Sequence, residues 1–313
     1  MMIPRLVAQW FCALLLLAMV RWVHADAIIE HVRFPSLDLE ASTGQPLMLN
    51  GLLFRPAGDA GKRVPAVVAL HGCGGMYSVV KSRRDELSIR HRAMADLLVA
   101  EGYAVFFPDS FRSRGRETIC KEPNAGRTLT QAHRRLDTLG ALVYLQGRAD
   151  ITRNRIAVLG WSHGGSTVLA TMNEKARVVR IFRDGDPSAS YFRSAIAFYP
   201  GCFDSVRAKE GYAPAAPLLL LVGGSDDWTS PRPCVALVDR LRRDRETASI
   251  VVYPDTYHGF DGPSSQPRLR LDVPNGVHPG QGVTVAVNPA ARENAYARVK
   301  AHFREALTGD KQP

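Results

Sequence analysis

The chain has 313 residues, with 40 Lys and Arg against 30 Asp and Glu, and its formal net charge is +10 at pH 7. The arginines form scattered clusters without interleaved aromatic side chains, which argues against nucleic-acid binding. The length fits one large domain preceded by a short leader, and no internal repeat or linker divides it.

The N-terminus has the pattern of a secretory signal peptide. Arg5 supplies a positive charge, an apolar run follows from Trp10 to Val20, and Val23-His24-Ala25 fits a cleavage site. We expect cleavage after Ala25, with a cut after Ala27 as the alternative. The apolar run is too short to span a bilayer as a stable helix. The sequence therefore predicts an exported protein, periplasmic or secreted, without a stable membrane anchor, in which residues 26–313 form one domain.

Strand patterns and helix patterns alternate along the rest of the chain. In chain order they are strands Ile28–Phe34, Leu47–Arg55 and Pro65–Leu70, helix Arg84–Glu101, strand Tyr103–Phe107, helix Thr130–Gln146, strand Arg155–Leu159, a helix starting near Ser166, strands Ser194–Phe198 and Pro217–Val222, helix Cys234–Arg243, strand Ser249–Tyr253 and helix Pro289–Leu307. This alternation predicts an α/β fold with a mostly parallel, eight-stranded twisted sheet and helices on both faces. In such sheets the functional site lies beyond the carboxyl ends of the strands.

The most specific motif is Gly160-Trp161-Ser162-His163-Gly164, directly after an apolar strand. G-x-S-x-G between a strand and a helix is the nucleophile-elbow pattern, in which a sharp turn exposes the serine hydroxyl. Ser162 is therefore the candidate nucleophile. The alternative is an ordinary glycine-rich turn.

A serine hydroxyl needs a neighbouring base to become a nucleophile, and His258 is the best candidate among nine histidines. It follows the last predicted strand, in Tyr257-His258-Gly259-Phe260. By contrast, His91, His133 and His302 fall within helical patterns, where a surface role is usual.

The acid that orients the histidine is expected in Gly224-Ser225-Asp226-Asp227-Trp228, where a buried strand ends. We prefer Asp227, because it lies three residues after Gly224 and four before Pro231, and assign Asp226 to capping the turn. Asp204 and Asp255 remain weaker alternatives. The order serine, aspartate, histidine is that of α/β-hydrolases.

Two backbone N–H groups are candidates for binding an oxyanion. One belongs to His163, which follows the nucleophile. The other comes from His71-Gly72-Cys73-Gly74-Gly75 at the end of the third strand, with Cys73 as first choice and Gly74 as second. The side chains of His71 and His163 are expected to brace their loops.

These residues resemble the α/β-hydrolase superfamily and, within it, the dienelactone hydrolase family, over nearly the whole chain after the leader. The motifs that carry the resemblance are His71–Gly75, Pro108-Asp109-Ser110-Phe111, Gly160–Gly165, Gly224–Asp227 and His258-Gly259-Phe260. Dienelactone hydrolases proper use a cysteine nucleophile and a glutamate after the oxyanion-loop histidine, whereas this chain has Ser162 and Gly72. The resemblance thus implies an exported serine branch that hydrolyses carboxylic esters or lactones.

The cysteines agree with export. Four remain after the leader, an even number that indicates disulfides in an oxidising compartment but leaves three pairings open. The fold that the resemblance implies favours Cys73–Cys120 and Cys202–Cys234. Reduced thiols are the alternative. Zinc is not expected, because no C-x-x-C pair or histidine pair accompanies the cysteines.

The sequence therefore predicts a serine hydrolase that forms an acyl-enzyme and needs no metal or organic cofactor. Its expected partner is a small ester or lactone, and the oligomeric state is not predicted. A binding protein without turnover and a small peptidase are the alternatives, the latter disfavoured because residues 26–60 are too few for an extra domain. Arg112, Arg114 and Arg116 are expected near the site. We interpret them first as a solvated basic surface, and the alternative is that they bind a substrate that carries a carboxylate.

Overall fold

The computed structural model describes residues 27–58, 61–186, 190–263 and 266–308. The predicted signal peptide, residues 1–25, lies outside the described residues. Among the described residues, no helix combines the length and the apolar character needed to cross a membrane.

The elements alternate as the sequence predicts. In chain order they are β1 (Ala27–Leu39), β2 (Pro46–Pro56), β3 (Val64–Leu70), α1 (Ile89–Ala100), β4 (Ala104–Pro108), α2 (Gln131–Gln146), β5 (Ile151–Trp161), α3 (His163–Met172), α4 (Arg177–Gly185), β6 (Ala195–Phe198), α5 (Phe203–Val206), β7 (Leu218–Gly223), α6 (Pro231–Arg243), β8 (Ala248–Tyr253), β9 (Arg268–Arg270), β10 (Val283–Val285) and α7 (Pro289–Thr308). Short 3-10 helices cover Lys81–Arg83 and Arg112–Arg114.

Eight strands form one sheet in the order β1-β2-β4-β3-β5-β6-β7-β8. The pairs β1–β2 and β2–β4 are antiparallel, and every pair from β4 to β8 is parallel. The predicted fold class, α/β with a mostly parallel eight-stranded sheet, is confirmed. Because β3, β5, β6 and β7 run in parallel, their carboxyl ends share one edge of the sheet.

The core lies on both faces of this sheet, which explains why the central strands are almost wholly apolar. Val158 of β5 packs in a buried cluster with α2, α3 and α6. Its neighbours Ala157 and Leu159 point to the other face, where α1 and α7 cover them. The two layers of helices hold the strand ends in place.

Several features differ from the sequence prediction, including the following three. Helix α1 begins at Ile89 rather than Arg84, because Ser88 caps it by accepting the His91 N–H. Helix α4 fills the long connection after α3, although Val179 is its only fully buried side chain. The small hairpin β9–β10 also lies where no regular element is predicted.

Candidate active site

The site begins at the turn between β5 and α3. Ser162 has φ +53°, in the left-handed region that side chains other than glycine rarely adopt. Its N–H donates to the Phe198 carbonyl at 2.9 Å, which holds the turn against β6. A Cβ at Gly164 would lie 2.1 Å from the Leu70 carbonyl oxygen. The elbow therefore packs directly on the end of β3, and only glycine fits at residue 164.

Ser162, His258 and an aspartate form a chain of hydrogen bonds. His258 Nε2 lies 3.0 Å from Ser162 Oγ, and His258 Nδ1 lies 2.8 Å from Asp226 Oδ2. An ionised carboxylate only accepts, so the proton lies on Nδ1 and the bare Nε2 faces the serine hydroxyl. The histidine and aspartate side chains are almost fully buried, while the serine is half-buried.

The prediction that Asp227 orients the histidine is wrong: that aspartate is Asp226. Asp226 Oδ1 accepts the N–H groups of Trp228 and Thr229, at 2.9 and 2.8 Å, so its side chain turns back over the strand end toward His258. Asp227 faces the opposite side of the turn, where its Oδ1 accepts the Thr284 N–H at 2.8 Å.

The weaker candidates for the acid lie elsewhere. Asp204 is in the first turn of α5, and Asp255 is exposed in the turn after β8.

The imidazole of His258 is held from several sides. The Tyr199 ring meets it edge-on at 4.5 Å, and the Trp228 ring lies at 4.7 Å. The Thr229 hydroxyl lies 3.0 Å from Asp226 Oδ2 and 3.0 Å from the Tyr199 carbonyl oxygen. These contacts leave the ring few orientations other than the one that faces Ser162.

The loop after β3 lies against Ser162. A Cβ at Gly72 would lie 3.5 Å from Ser162 Cβ and 3.4 Å from the Trp161 carbonyl oxygen. The Cys73 carbonyl accepts the Ile119 N–H at 2.8 Å, and Cys73 is disulfide-bonded to Cys120. Within the described ranges, neither the Cys73 N–H nor the His163 N–H has a hydrogen-bond acceptor. Both groups are thus available to a ligand atom.

The side chains of His71 and His163 brace the loops, as expected. His71 Nδ1 donates to the Gly72 carbonyl at 2.8 Å, and His163 Nδ1 lies 2.9 Å from Arg134 Nη1. Burial, reinforced by the positive charge of Arg134, holds the pKa of both imidazoles well below the ordinary 6.5. Both histidines are therefore neutral at pH 7.

Comparison with known proteins agrees with this geometry. The model of the dienelactone hydrolase family matches residues 49–307. The chain belongs to the dienelactone hydrolase family. The predicted membership of the α/β-hydrolase superfamily is confirmed with it.

Individual relatives are distant. The quorum-quenching protein AidA of Acinetobacter baumannii (strain MDR-ZJ06) is 30% identical over 169 residues, which are 54% of this chain and 47% of that protein. The chain spans less than half the length of the curated relatives it matches.

Two solved structures show the same fold at low identity. The dienelactone hydrolase-like promiscuous phosphotriesterase P91, from metagenomic libraries, has TM-score 0.60 and 18% identity, covering 89% of this chain and 99% of that one. Esterase Est22 has TM-score 0.56 and 17% identity, covering 90% of this chain and 81% of that one. At these identities the likeness concerns the fold alone.

Arg112, Arg114 and Arg116, considered above as ligands of a substrate carboxylate, form ion pairs within the protein itself. Arg114 forms ion pairs with Asp38 and Asp137, at 2.7 and 2.9 Å. Arg112 pairs with Asp85, lies over the Tyr77 ring and donates to a loop carbonyl, while Arg116 pairs with Glu122. All three guanidinium groups therefore have protein partners, which argues against the suggestion.

Sequence reasoning missed one buried carboxylate behind the histidine. Asp261 is fully buried and accepts the Trp161 indole N–H at 2.8 Å and the Tyr199 hydroxyl at 2.6 Å. Arg90 Nε lies 3.1 Å from the same carboxylate. Asp261 thus ties the loop of His258 to the strand that carries Ser162. The sequence signal that could have indicated this residue is its position three residues after His258.

A cavity of about 230 Å³ lies beside helix α3. Ser166, one turn after Ser162, is in its wall together with Gly201, Arg135 and Tyr212. A Cβ at Gly201 would lie 3.3 Å from Ser166 Oγ and 4.0 Å from the Thr229 methyl group. Gly201 therefore lies between this cavity and Thr229, which bonds to Asp226.

Proposed function

We propose that the chain is a serine hydrolase that cleaves a carboxylic ester or lactone through an acyl-enzyme on Ser162. One observation carries the proposal: the continuous hydrogen-bond chain from Asp226 through His258 to Ser162 Oγ, with distances of 2.8 and 3.0 Å. A strained serine, a buried imidazole and a buried carboxylate in this order are the parts that activate an alcohol as a nucleophile.

In the proposed mechanism, His258 Nε2 removes the hydroxyl proton as Ser162 Oγ attacks the carbonyl carbon. The new imidazolium is stabilised by Asp226, which accepts the Nδ1–H. The oxyanion lies against the His163 and Cys73 N–H groups, each expected to lower the barrier by about 3–4 kcal/mol. His258 then gives its proton to the leaving alcohol, and water, activated by the same imidazole, releases the acid.

We also propose that the protein is exported. The N-terminal signal pattern supports this, as do the disulfides Cys73–Cys120 and Cys202–Cys234, both present in the structure. These are the two pairings expected from the family fold, and such bonds persist in oxidising compartments. Detection of the protein in a periplasmic or culture-medium fraction, with residue 26 as its N-terminus, would support export.

The experiment is a panel of p-nitrophenyl esters and lactones tested with wild type and Ser162→Ala. We expect turnover that the substitution lowers by at least about 10³-fold. A fluorophosphonate probe should label wild type at Ser162, as located by peptide mass spectrometry. Hydrolysis that persists in Ser162→Ala, or labelling at another residue, would refute the proposal. Cleavage of peptide amides faster than esters would favour the peptidase, and binding without any turnover would favour the binding protein.

A further inference from the structure

Arg134, on α2, is a cation in the interior of the protein. It is 1% exposed and lies on the buried stripe of α2. Its Nη2 donates to the His71 carbonyl at 2.8 Å, and its Nη1 lies 2.9 Å from His163 Nδ1. One guanidinium therefore binds both the loop after β3 and the nucleophile elbow.

These bonds act on the residues that carry the oxyanion donors. His163 is itself the first donor, and its side chain is fixed by Arg134. On the other loop, Arg134 fixes the His71 carbonyl, and the His71 ring in turn donates to the Gly72 carbonyl. In a trans peptide the C=O and the following N–H point in opposite directions. Fixing the Gly72 carbonyl thus also fixes the direction of the Cys73 N–H.

The charge of Arg134 is not compensated by contact with a carboxylate. Asp137, one turn later on α2, binds Arg114 and the Ser36 hydroxyl. Within the described ranges, Arg134 has no ion pair, and its guanidinium lies 5.2 Å from the centre of the Phe111 ring. Burial lowers the pKa of Arg134 to about 10, so it keeps its proton at pH 7.

We propose that Arg134 is a positioning residue for the oxyanion hole: it holds the two donor loops in register and supplies, behind them, a positive charge that contacts no carboxylate. This inference rests on the proposed function. In the resting enzyme the carboxylates of Asp137 and Asp109 act on the guanidinium only at a distance. The negative charge that forms on the substrate oxygen during attack adds a further electrostatic partner. A fixed charge of this kind favours the transition state over the neutral substrate.

The test compares Arg134→Met and Arg134→Lys with Arg135→Met. Arg135 is adjacent on α2 and binds neither loop, so its substitution is the matched control. We expect Arg134→Met to lower kcat about 100-fold while KM stays within about 3-fold of wild type. Arg134→Lys should lower kcat about 10-fold. In Arg135→Met, kcat should stay within about 3-fold of wild type.

A second measurement separates electrostatic positioning from a merely structural role. A trifluoromethyl ketone forms a tetrahedral oxyanion on the serine, whereas the matching methyl ketone binds mainly as a neutral carbonyl. Arg134→Met should lower the affinity for the trifluoromethyl ketone by the same factor as it lowers kcat/KM. The affinity for the methyl ketone should stay within about 3-fold of wild type. Equal weakening of both inhibitors, or wild-type kcat in a folded variant, would overturn the inference.

Hydrogen–deuterium exchange makes the test independent of turnover. In both Arg134 variants the amides of residues 71–76 and 162–166 should exchange at least about 5-fold faster, and in Arg135→Met they should not. If wild type hydrolyses no ester, the proposed function fails, and the exchange rates still decide whether Arg134 positions the loops. If Arg134→Met does not fold, Arg134→Lys decides, and unchanged exchange and kcat in that variant would overturn the inference.

Discussion

The choice between adjacent aspartates gives the sharpest test of the site. In Asp226→Asn, the amide oxygen can still accept the Trp228 and Thr229 N–H groups, so the turn is expected to keep its shape. The amide NH₂ would then face His258 Nδ1 in place of Oδ2. Because an NH₂ group donates, Nδ1 must become the acceptor and the imidazole proton moves to Nε2. The nitrogen that should receive the serine proton is then already protonated.

We therefore expect Asp226→Asn to lower kcat by about 10⁴-fold at pH 7, which corresponds to about 5.5 kcal/mol of barrier. The matched control is Asp227→Asn, whose amide oxygen can still accept the Thr284 N–H. Its kcat/KM should stay within about 3-fold of wild type. The assay is p-nitrophenyl ester hydrolysis by protein whose thermal unfolding matches wild type. Loss of activity in Asp227→Asn with activity kept in Asp226→Asn would refute the assignment.

Three further predictions concern stability. Replacing Cys73 and Cys120 by serine should lower the free energy of unfolding by up to about 4 kcal/mol, because their bond closes a loop of 47 residues, and should lower kcat as well; an unchanged kcat would show that the bond does not hold the oxyanion loop. Burial lowers the pKa of His91 to about 4, against 6.5 for an unfolded histidine, so the unfolded chain binds more protons as the pH falls from 6.5 to 4 and the native state loses stability there. In urea titrations between pH 4 and 6.5, His91→Gln should reduce the dependence of the unfolding free energy on pH by up to about 1.4 kcal/mol per pH unit. The same dependence in wild type and variant would contradict this. Arg114→Ala leaves the buried Asp137 carboxylate unpaired, so we expect about 3 kcal/mol of destabilisation with no change in preference between neutral and acidic esters; a changed preference would restore a substrate role for Arg114.

Much of the site could be predicted because its signals are local. The elbow around Ser162 needs small residues at fixed spacing, and His258 follows a strand end in a short turn. Which of two adjacent aspartates faces the histidine is not a local property. It depends on how the turn is rotated, and one determinant of that rotation is the Asp227–Thr284 hydrogen bond, whose partners lie 57 residues apart. Spacing from Gly224 carries no information about that contact.

Arg134 shows a second reason for incomplete prediction. An arginine in a helix is usually exposed, and Arg135 beside it makes the pair look like a charged surface. The available signal was periodicity, since Arg134 shares its face of α2 with the buried residues Thr138, Ala141 and Leu145. A cation on an apolar stripe must have buried partners. Those partners, a carbonyl and an imidazole on other elements, cannot be read from the helix itself.

His91 shows the same limit. His91 was expected at the surface, as is usual for a histidine in a helix, yet it is buried. Its ring lies 4.9 Å from that of Trp161, and its Nδ1 lies 3.0 Å from the Met76 carbonyl oxygen. A single polar residue on a helix can therefore be part of the core when a loop carbonyl is available to it.

The covalent bonds lie where the proposed chemistry needs rigid loops. Loops are ordinarily the most mobile parts of a fold, yet they carry the functional residues. Cys73–Cys120 joins the oxyanion loop after β3 to the loop after β4, and Cys202–Cys234 joins the segment after β6 to helix α6. Because α6 directly follows the turn of Asp226, the second bond anchors the far end of that turn. An oxyanion hole works by holding its donors in place before the charge forms. The two disulfides and the buried guanidinium of Arg134 therefore meet the same requirement, which is a site held in place before the reaction. The disulfides constrain its loops covalently, and Arg134 holds them by hydrogen bonds from beneath.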